Sequence, residues 1–371
     1  MLPYGRNIRP PVPYPMNTGV FCNRDDTVAR GIAERIEQIS PGACRIFDIN
    51  PDSSTIALHG DRIFWSGVDL SKLRTAWVSG LPYMDPVIPP IAEDVDWSLW
   101  RYDHLVAQQR WSAMESTLQE LERRGVRLIN PRRAALRRYL CAQHLLSLSR
   151  NGCAIPDLLV SNDMTQVEEF CRHHEWVLWR PVTGRGAWQR FTERQRLHLV
   201  GPDKPPILLA EGQPADLLIA WVFDDEPLLC LGLERPAQRE VDALGRKEDF
   251  GELARLETLE TVTVLDGKSL ESGLRRAAIA TGWPWVQLTF TVTGGTLRVY
   301  EADPDPMFEW LPAVLKTWLI EACACKLLGH EPDLATRPAV GTRLERPALF
   351  LRRMLQIQFD MERSKYPQDG E

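Results

Sequence analysis

The stretch WVQLTFTV-TGG-TLRVYEADPDP limits the possible folds of this chain more than any other. Two runs of β-forming residues, 285–292 and 296–302, flank Gly294-Gly295, which is the pattern of a tight antiparallel hairpin. The second run leads directly into Glu301, Asp303 and Asp305, interleaved with Pro304 and Pro306. Proline donates no ladder hydrogen bond, so the strand must end there with carboxylates at its tip. Alternation places Glu301 and Asp303 on one face. A three-residue connection over 294–296 sets Thr289 opposite Glu301, whereas a two-residue connection sets Leu288 there. From the residues alone, this strand end is either an oxygen-rich site for a hard cation or a solvated acidic loop.

The surrounding chain mixes strand and helix signals. TGVFCN (18–23) and ACRIFDI (43–49) read as strands around a helix through AERIEQI (33–39); a hairpin-like piece and TAWVSGLP (75–82) complete a small α/β unit. The proline-rich segment 85–97 reads as linker. Apolar residues at helical spacing from Leu99 to Arg124, including Met114, Leu118 and Leu121, predict a helix capped by Gly125. VRLI (126–129) then ends at Asn130-Pro131, and 134–150 predicts a helix that stops at Asn151-Gly152. Thr165 and Glu168 have capping-box spacing for the next helix. WVLWR, AWQRF, PILLAE, LLIAWVF and LLCLGLE read as strands, and 269–282 as a helix ending in glycine. A last domain helix follows the acidic strand end. Residues 331–371 read as an extension whose 346–362 helix carries Leu349, Phe350, Met354, Leu355 and Phe359 on one side, either docked on the body or forming a homodimer contact. The expected class is α+β, divided as 1–97, 98–205, 206–330 and 331–371.

Composition narrows the function. With 371 residues the chain can hold several cores, and a formal net charge of -6 gives no general attraction to nucleic acid or anionic lipid. No run approaches the length of a membrane span, and the opening MLPYGRNIRPPVPYP lacks the apolar segment of a signal peptide. The expected setting is therefore cytoplasmic, with the eight cysteines reduced and mostly in cores; only Cys323 and Cys325 lie close together. His173-His174 beside Glu175 reads as a helix end. The cations are mostly arginines, and no lysine lies between Lys72 and Lys204.

The order of motifs resembles the ATP-grasp ligases. Ile129-Asn130-Pro131, Gly152 to Pro156, Trp179-Arg180-Pro181 with the loop Thr183-Gly184-Arg185-Gly186, LLAEGQPADLLIAWV and LTFTVTGGTLRVYEADPDPMFEWL follow one another as the family's motifs do. By pattern the chain is most similar to the peptide-modifying branch, which includes the graspetide (microviridin-type) macrocyclases and the ribosomal protein glutamate ligases. ACRIFDINPDSST…RTAWVSG resembles their small first domain, so the resemblance spans roughly residues 18–330. It implies an ATP-grasp fold with an N-terminal α/β (pre-ATP-grasp) domain.

The resemblance also implies a reaction. An ATP-dependent ligase activates a carboxylate as an acyl phosphate, and an amine or hydroxyl then displaces phosphate; here the substrate would be a peptide or protein. Cations and Mg²⁺ held by carboxylates stabilise the charge that develops on the phosphoryl group. Carried over residue by residue, Glu301 and Asp303 become the metal ligands. Arg180, Gly184, Gly186, Glu211 and Asp216 become nucleotide-binding residues. A further phosphate cation falls near Arg138 or Cys141, and Arg246 and Arg255, with Lys247 nearby, become catalytic candidates. The sequence departs from the family pattern at Thr289, where a carboxylate is usual, at Asp303 in place of asparagine, and at Leu218 in place of arginine. Arginines also stand in for the lysines. These departures leave a second reading open, a catalytically degenerate ATP-grasp protein that serves as a binding or scaffold subunit.

Overall fold

A computed structural model describes residues 16–49, 54–79, 97–133, 140–182, 188–213, 217–233, 261–306, 308 and 310–345. Most of the segment 85–97, the loop 183–187, residues 234–260 and the helix read over 346–362 lie outside the described residues. Two compact units are present. One draws its residues from within 1–81, 109–128 and 320–332, the other from within 82–108, 129–319 and 333–371.

In the first unit β1 (Thr18–Cys22) lies between β2 (Cys44–Asp48) and β6 (Thr75–Val78), parallel to both, and β7 (Arg127–Ile129) completes the sheet. The crossover from β1 to β2 is α1 (Thr27–Ile39), which begins six residues earlier than AERIEQI suggests. The Asp26 carboxylate accepts the Ala29 amide at 2.8 Å and fixes that start. Buried Val28, Ile32 and Ile36 recur every four residues along the inner face. A second sheet of β3 (Ile56–His59), β4 (Arg62–Trp65) and β5 (Val68–Asp69) matches the hairpin-like reading. Phe21 stacks on Phe47 at 4.7 Å and meets the edge of Trp65 at 5.0 Å; Met114, Leu118 and Leu121 of α2 (Trp97–Arg123) close this core.

The second unit contains two antiparallel sheets. The smaller runs β10-β9-β11-β8, built from β8 (Leu158–Ser161), β9 (Val177–Pro181), β10 (Gln189–Arg190) and β11 (Ile207–Glu211). β11 is apolar and buried from Ile207 to Ala210 because both of its faces are covered. Ile207 and Leu209 pack with Val167 and Phe170 of the helix 164–173, while Leu208 and Ala210 enter the larger core. In chain order the helices of this unit are α3 (Cys141–Arg150), α4 (Met164–His173), α5 (Glu193–Leu199) and α6 (Glu271–Thr281), with α7 (Ala313–Leu327) after them. The expected Thr165/Glu168 capping box is not present. Asp163 caps α4 instead, accepting the Thr165 and Gln166 amides at 2.8 and 3.3 Å, and a reciprocal box forms on α5 between Thr192 and Gln195.

The larger sheet has the order β16-β15-β12-β13-β14-β17, all antiparallel. Its strands are β12 (Leu218–Phe223), β13 (Glu226–Leu233), β14 (Thr261–Val264), β15 (Trp285–Thr293), β16 (Thr296–Asp303) and β17 (Arg343–Glu345). The segment read as a C-terminal extension thus supplies an edge strand. α6 buries Leu274, Ala277 and Ala278 against Val286, Leu288 and Phe290. It ends where Gly282 takes a left-handed φ of 70°, as the glycine ending predicts. Parallel and antiparallel sheets, each with helices, make the chain α+β as expected.

Candidate functional site

The hairpin turn is Gly294-Gly295 alone, with φ of 56° and 77°, joining Thr293 directly to its partner Thr296. Counting back from a two-residue turn would set Leu288 opposite Glu301. The observed pairs are Phe290 with Val299 and Thr289 with Glu301, so Tyr300 is an extra residue in a β-bulge. The loop therefore has the shorter of the two expected lengths, while the pairing is the one expected from the longer loop. The bulge accounts for the difference. Below it Leu288 faces Ala302 and Gln287 faces Asp303. Directly paired residues share a face, so Thr289, Glu301, Gln287 and Asp303 form a block of oxygen-bearing side chains, and Leu288 and Ala302 turn into the core. On the block's other flank β12 sets Ile219 beside Thr289 and Trp221 beside Gln287.

Arg180 on β9 reaches this block. Its side chain is 1% exposed, and its Nη2 donates to Glu301 Oε1 at 3.1 Å. The guanidinium lies 5.3 Å from the ring centre of Trp188, whose indole N–H donates to the Tyr300 carbonyl at 3.2 Å. A buried cation needs a carboxylate and a polarisable neighbour of this kind. Cys141, at the start of α3, lies within the same electrostatic field. Burial pushes its thiol up to about 11; Arg180 lowers it and Glu301 raises it by smaller amounts. The other expected location for this cation, Arg138, is outside the described residues.

Asn130 holds the base of the block. It is 7% exposed; its Nδ2 donates to the Trp285 carbonyl at 2.7 Å and to the Pro304 carbonyl, and its Oδ1 accepts the Trp285 amide at 2.9 Å. One side chain thus ties the first residue of β15 to the residue after β16. The Asp303 carboxylate accepts the Asp305 amide at 3.0 Å, which turns the chain at the prolines.

Glu211, the last residue of β11, is held by several bonds, including one from the Asp157 amide to its carboxylate at 3.4 Å. Arg298 Nη1 donates to its carboxylate at 2.8 Å, and the Tyr300 hydroxyl donates to its carbonyl at 3.0 Å. A cavity of about 580 Å³ opens beside it, lined among others by His174, Trp176, Gly212, Gln213 and Thr293. His174 lies 3.1 Å from Asp157, and His173 contacts the Glu169 carbonyl at 2.8 Å, as at an ordinary helix end.

The structure therefore gathers Arg180, Glu301 and Asp303 and links Glu211 to the same strand through Arg298 and Tyr300. Gly184, Gly186, Asp216, Arg246 and Arg255 lie outside the described residues. Asn130, Gln287, Trp188, Arg298 and Tyr300 were missed as individual site residues. For Gln287 the signal was available, because it stands two residues before Thr289 on the same face. Among the described residues no three His, Cys, Asp or Glu side chains gather as a metal cluster. Likewise, no helix among them is long and apolar enough to cross a membrane.

No sequence family matches the chain, and no curated protein does. Solved structures do. The ATP-grasp ligase PsnB complexed with minimal precursor, Mg and ADP superposes with a TM-score of 0.63 at 18% identity, covering 84% of this chain and 98% of PsnB. The macrocyclase MdnC from Microcystis aeruginosa MRC, bound with precursor peptide MdnA, gives 0.63 at 14%, covering 85% and 100%. A RiPP-associated ATP-grasp ligase from Chryseobacterium gregarium, in complex with ADP and a leader and core peptide, gives 0.61 at 11%, covering 89% and 99%. At such identities the likeness establishes the fold: this chain has the ATP-grasp fold. These structural neighbours belong to the peptide-modifying branch that the motifs resemble.

Proposed function

We propose that this protein is an ATP-dependent ligase joining a carboxylate to an amine or hydroxyl on a peptide or protein substrate, through an acyl phosphate. The observation that carries the reading is the paired block Thr289–Glu301 and Gln287–Asp303, faced by buried Arg180 inside an ATP-grasp fold. Two carboxylates with neutral oxygens beside them suit Mg²⁺, which takes one or two carboxylates along with phosphate oxygens. ATP would supply the phosphoryl group that activates the substrate carboxylate. Glu301 and Asp303 hold the metal in this reading. Arg180 would hold a phosphate oxygen of bound nucleotide, to which a guanidinium offers a matched fork of donors. Trp188 and Tyr300 keep water from that cation, and Glu211 serves the adenosine end. Arg138, Gly184, Gly186 and Asp216 as nucleotide contacts, and Arg246 and Arg255 as catalytic cations, are proposed from the motif resemblance.

The peptide as substrate rests on the neighbours, which were solved with precursor peptides. Eight free cysteines suit a reducing, cytoplasmic setting. The domain division at 97, 205 and 330, and a homodimer contact through 346–362, belong to the same proposal.

The test is Mg²⁺-dependent ADP formation during a screen of acidic peptides. Turnover that Glu301→Ala abolishes supports the ligase, and undiminished turnover in that variant rules out the metal role. The scaffold reading is favoured by one observation, the uncharged Thr289 opposite Glu301. It requires that no peptide elicit ADP while a partner still binds.

A further inference from the structure

We infer that Gln287 is an oxygen donor to the divalent cation, making up for the carboxylate that position 289 lacks. The inference rests on the ligase reading. Gln287 is the direct cross-strand partner of Asp303, as Thr289 is of Glu301. Cβ atoms of such partners lie about 4.5–5.5 Å apart, so the four side chains form the corners of a small quadrilateral. The two longer ones, Gln287 and Glu301, stand on one diagonal, and the two shorter, Thr289 and Asp303, on the other. A cation seated over the short pair is within reach of the amide carbonyl from one side and the Glu301 carboxylate from the other.

Chemistry favours the same role. Mg²⁺ and Mn²⁺ are satisfied by oxygen, and an amide carbonyl is a neutral oxygen donor that keeps the set at two negative charges. The resemblance leads to a carboxylate at 289, but a threonine hydroxyl is a shorter and weaker donor. Gln287 lies one pleat along the same face and is longer by two heavy atoms.

Nothing in the structure claims these oxygens. Among the described residues neither the Gln287 amide nor the Thr289 hydroxyl makes a hydrogen bond. Trp221, the neighbour of Gln287 on β12, is fully buried with its indole N–H unpartnered, so the Gln287 carbonyl is not tied back to it. Ile219 beside Thr289 offers no polar group at all. Gln287 is half-buried, so its amide is open to a ligand from the solvent side. Here it stands next to a carboxylate at the open end of an acidic row.

The experiment is Mn²⁺ titration of the full chain with a non-hydrolysable ATP analogue, read by the loss of the free-ion paramagnetic resonance signal beyond that caused by the same analogue without protein. The analogue's affinity without metal is measured in parallel. Gln287→Ala is expected to weaken Mn²⁺ binding by at least about tenfold, the loss seen even for groups one layer outside a metal. Metal-free nucleotide binding should stay unchanged, which separates a lost ligand from a damaged fold. Gln287→Glu should retain the affinity, and Thr289→Asp added to Gln287→Ala should recover it. Wild-type Mn²⁺ affinity in Gln287→Ala overturns the role of Gln287 and leaves the ligase reading in place. A wild-type protein that binds neither metal nor nucleotide overturns both.

Discussion

Asn130 offers the most quantitative perturbation. Its amide satisfies three main-chain groups, the N–H and C=O of Trp285 and the C=O of Pro304, inside a site that is 7% exposed. Asn130→Ala leaves all three without that partner. An unsatisfied buried polar group costs about 1–3 kcal/mol, and water entering the gap would recover part of it, so the loss should be about 3 kcal/mol. The loss is local to the start of β15 and the end of β16, so amide hydrogen exchange resolves it better than a global melt of a two-unit chain. Peptides spanning 285–305 should exchange on the order of 100-fold faster, since each tenfold step corresponds to about 1.4 kcal/mol. Asn130→Asp should be at least as damaging, because it sets a buried carboxylate against two carbonyls. A change under about 1 kcal/mol in the alanine variant would refute the reasoning, because it would mean that water replaces the side chain at no penalty.

Other outcomes follow from the same geometry. Arg180→Met removes a buried cation but leaves Glu301, 29% exposed at its side chain, free to hydrate. Removing one partner of a buried pair should lower stability by up to about 3–5 kcal/mol, less to the extent that water reaches Glu301, while analogue binding should fall at least tenfold. A variant with unchanged nucleotide affinity would remove Arg180 from the site. Burial pushes the thiols of Cys22 and Cys44 up to about 12, and those of Cys141 and Cys230 up to about 11. Unfolded thiols ionise near about 8.5, so above that pH the unfolded state releases protons that the folded state keeps. The thiol contribution to stability should therefore be constant up to about pH 8.5 and decline through pH 11 to 12; denaturant melts from pH 8.5 upward check it, and a rise would contradict the assignment. In the same way, thiol reagents at pH 8 should label the native chain slowly and all eight cysteines after unfolding.

The sequence revealed those parts of the fold whose causes are local. Two glycines between alternating runs define the β15–β16 hairpin, and Gly282 marks a helix end through its own backbone chemistry, whereas the Asp26 side-chain cap that starts α1 was not read. The bulge at Tyr300 could not be read this way: there the Tyr300 hydroxyl bonds Glu211 and the Tyr300 carbonyl accepts the Trp188 indole N–H, both far away in sequence. The motif around Asn130 was visible, but its function was not: the partners lie 155 and 174 residues on. Capping at α4 failed for a smaller reason. Asp163 and Thr165 both suit a cap, and the preceding Asp163 competes better for the free amides. Arg180 stood in the motif as a nucleotide contact, but its enclosure beside Glu301 depends on a strand far away in sequence and was not legible. β17 is three residues long, too short for periodicity to reveal.

The central claim is that this ATP-grasp chain retains a working nucleotide and metal site. Calorimetric titration of the purified protein with a non-hydrolysable ATP analogue, with and without Mg²⁺, tests it most directly. The account predicts binding in the micromolar range that Mg²⁺ tightens and Glu301→Ala weakens. No detectable binding under either condition would contradict it and leave the protein as an ATP-grasp scaffold.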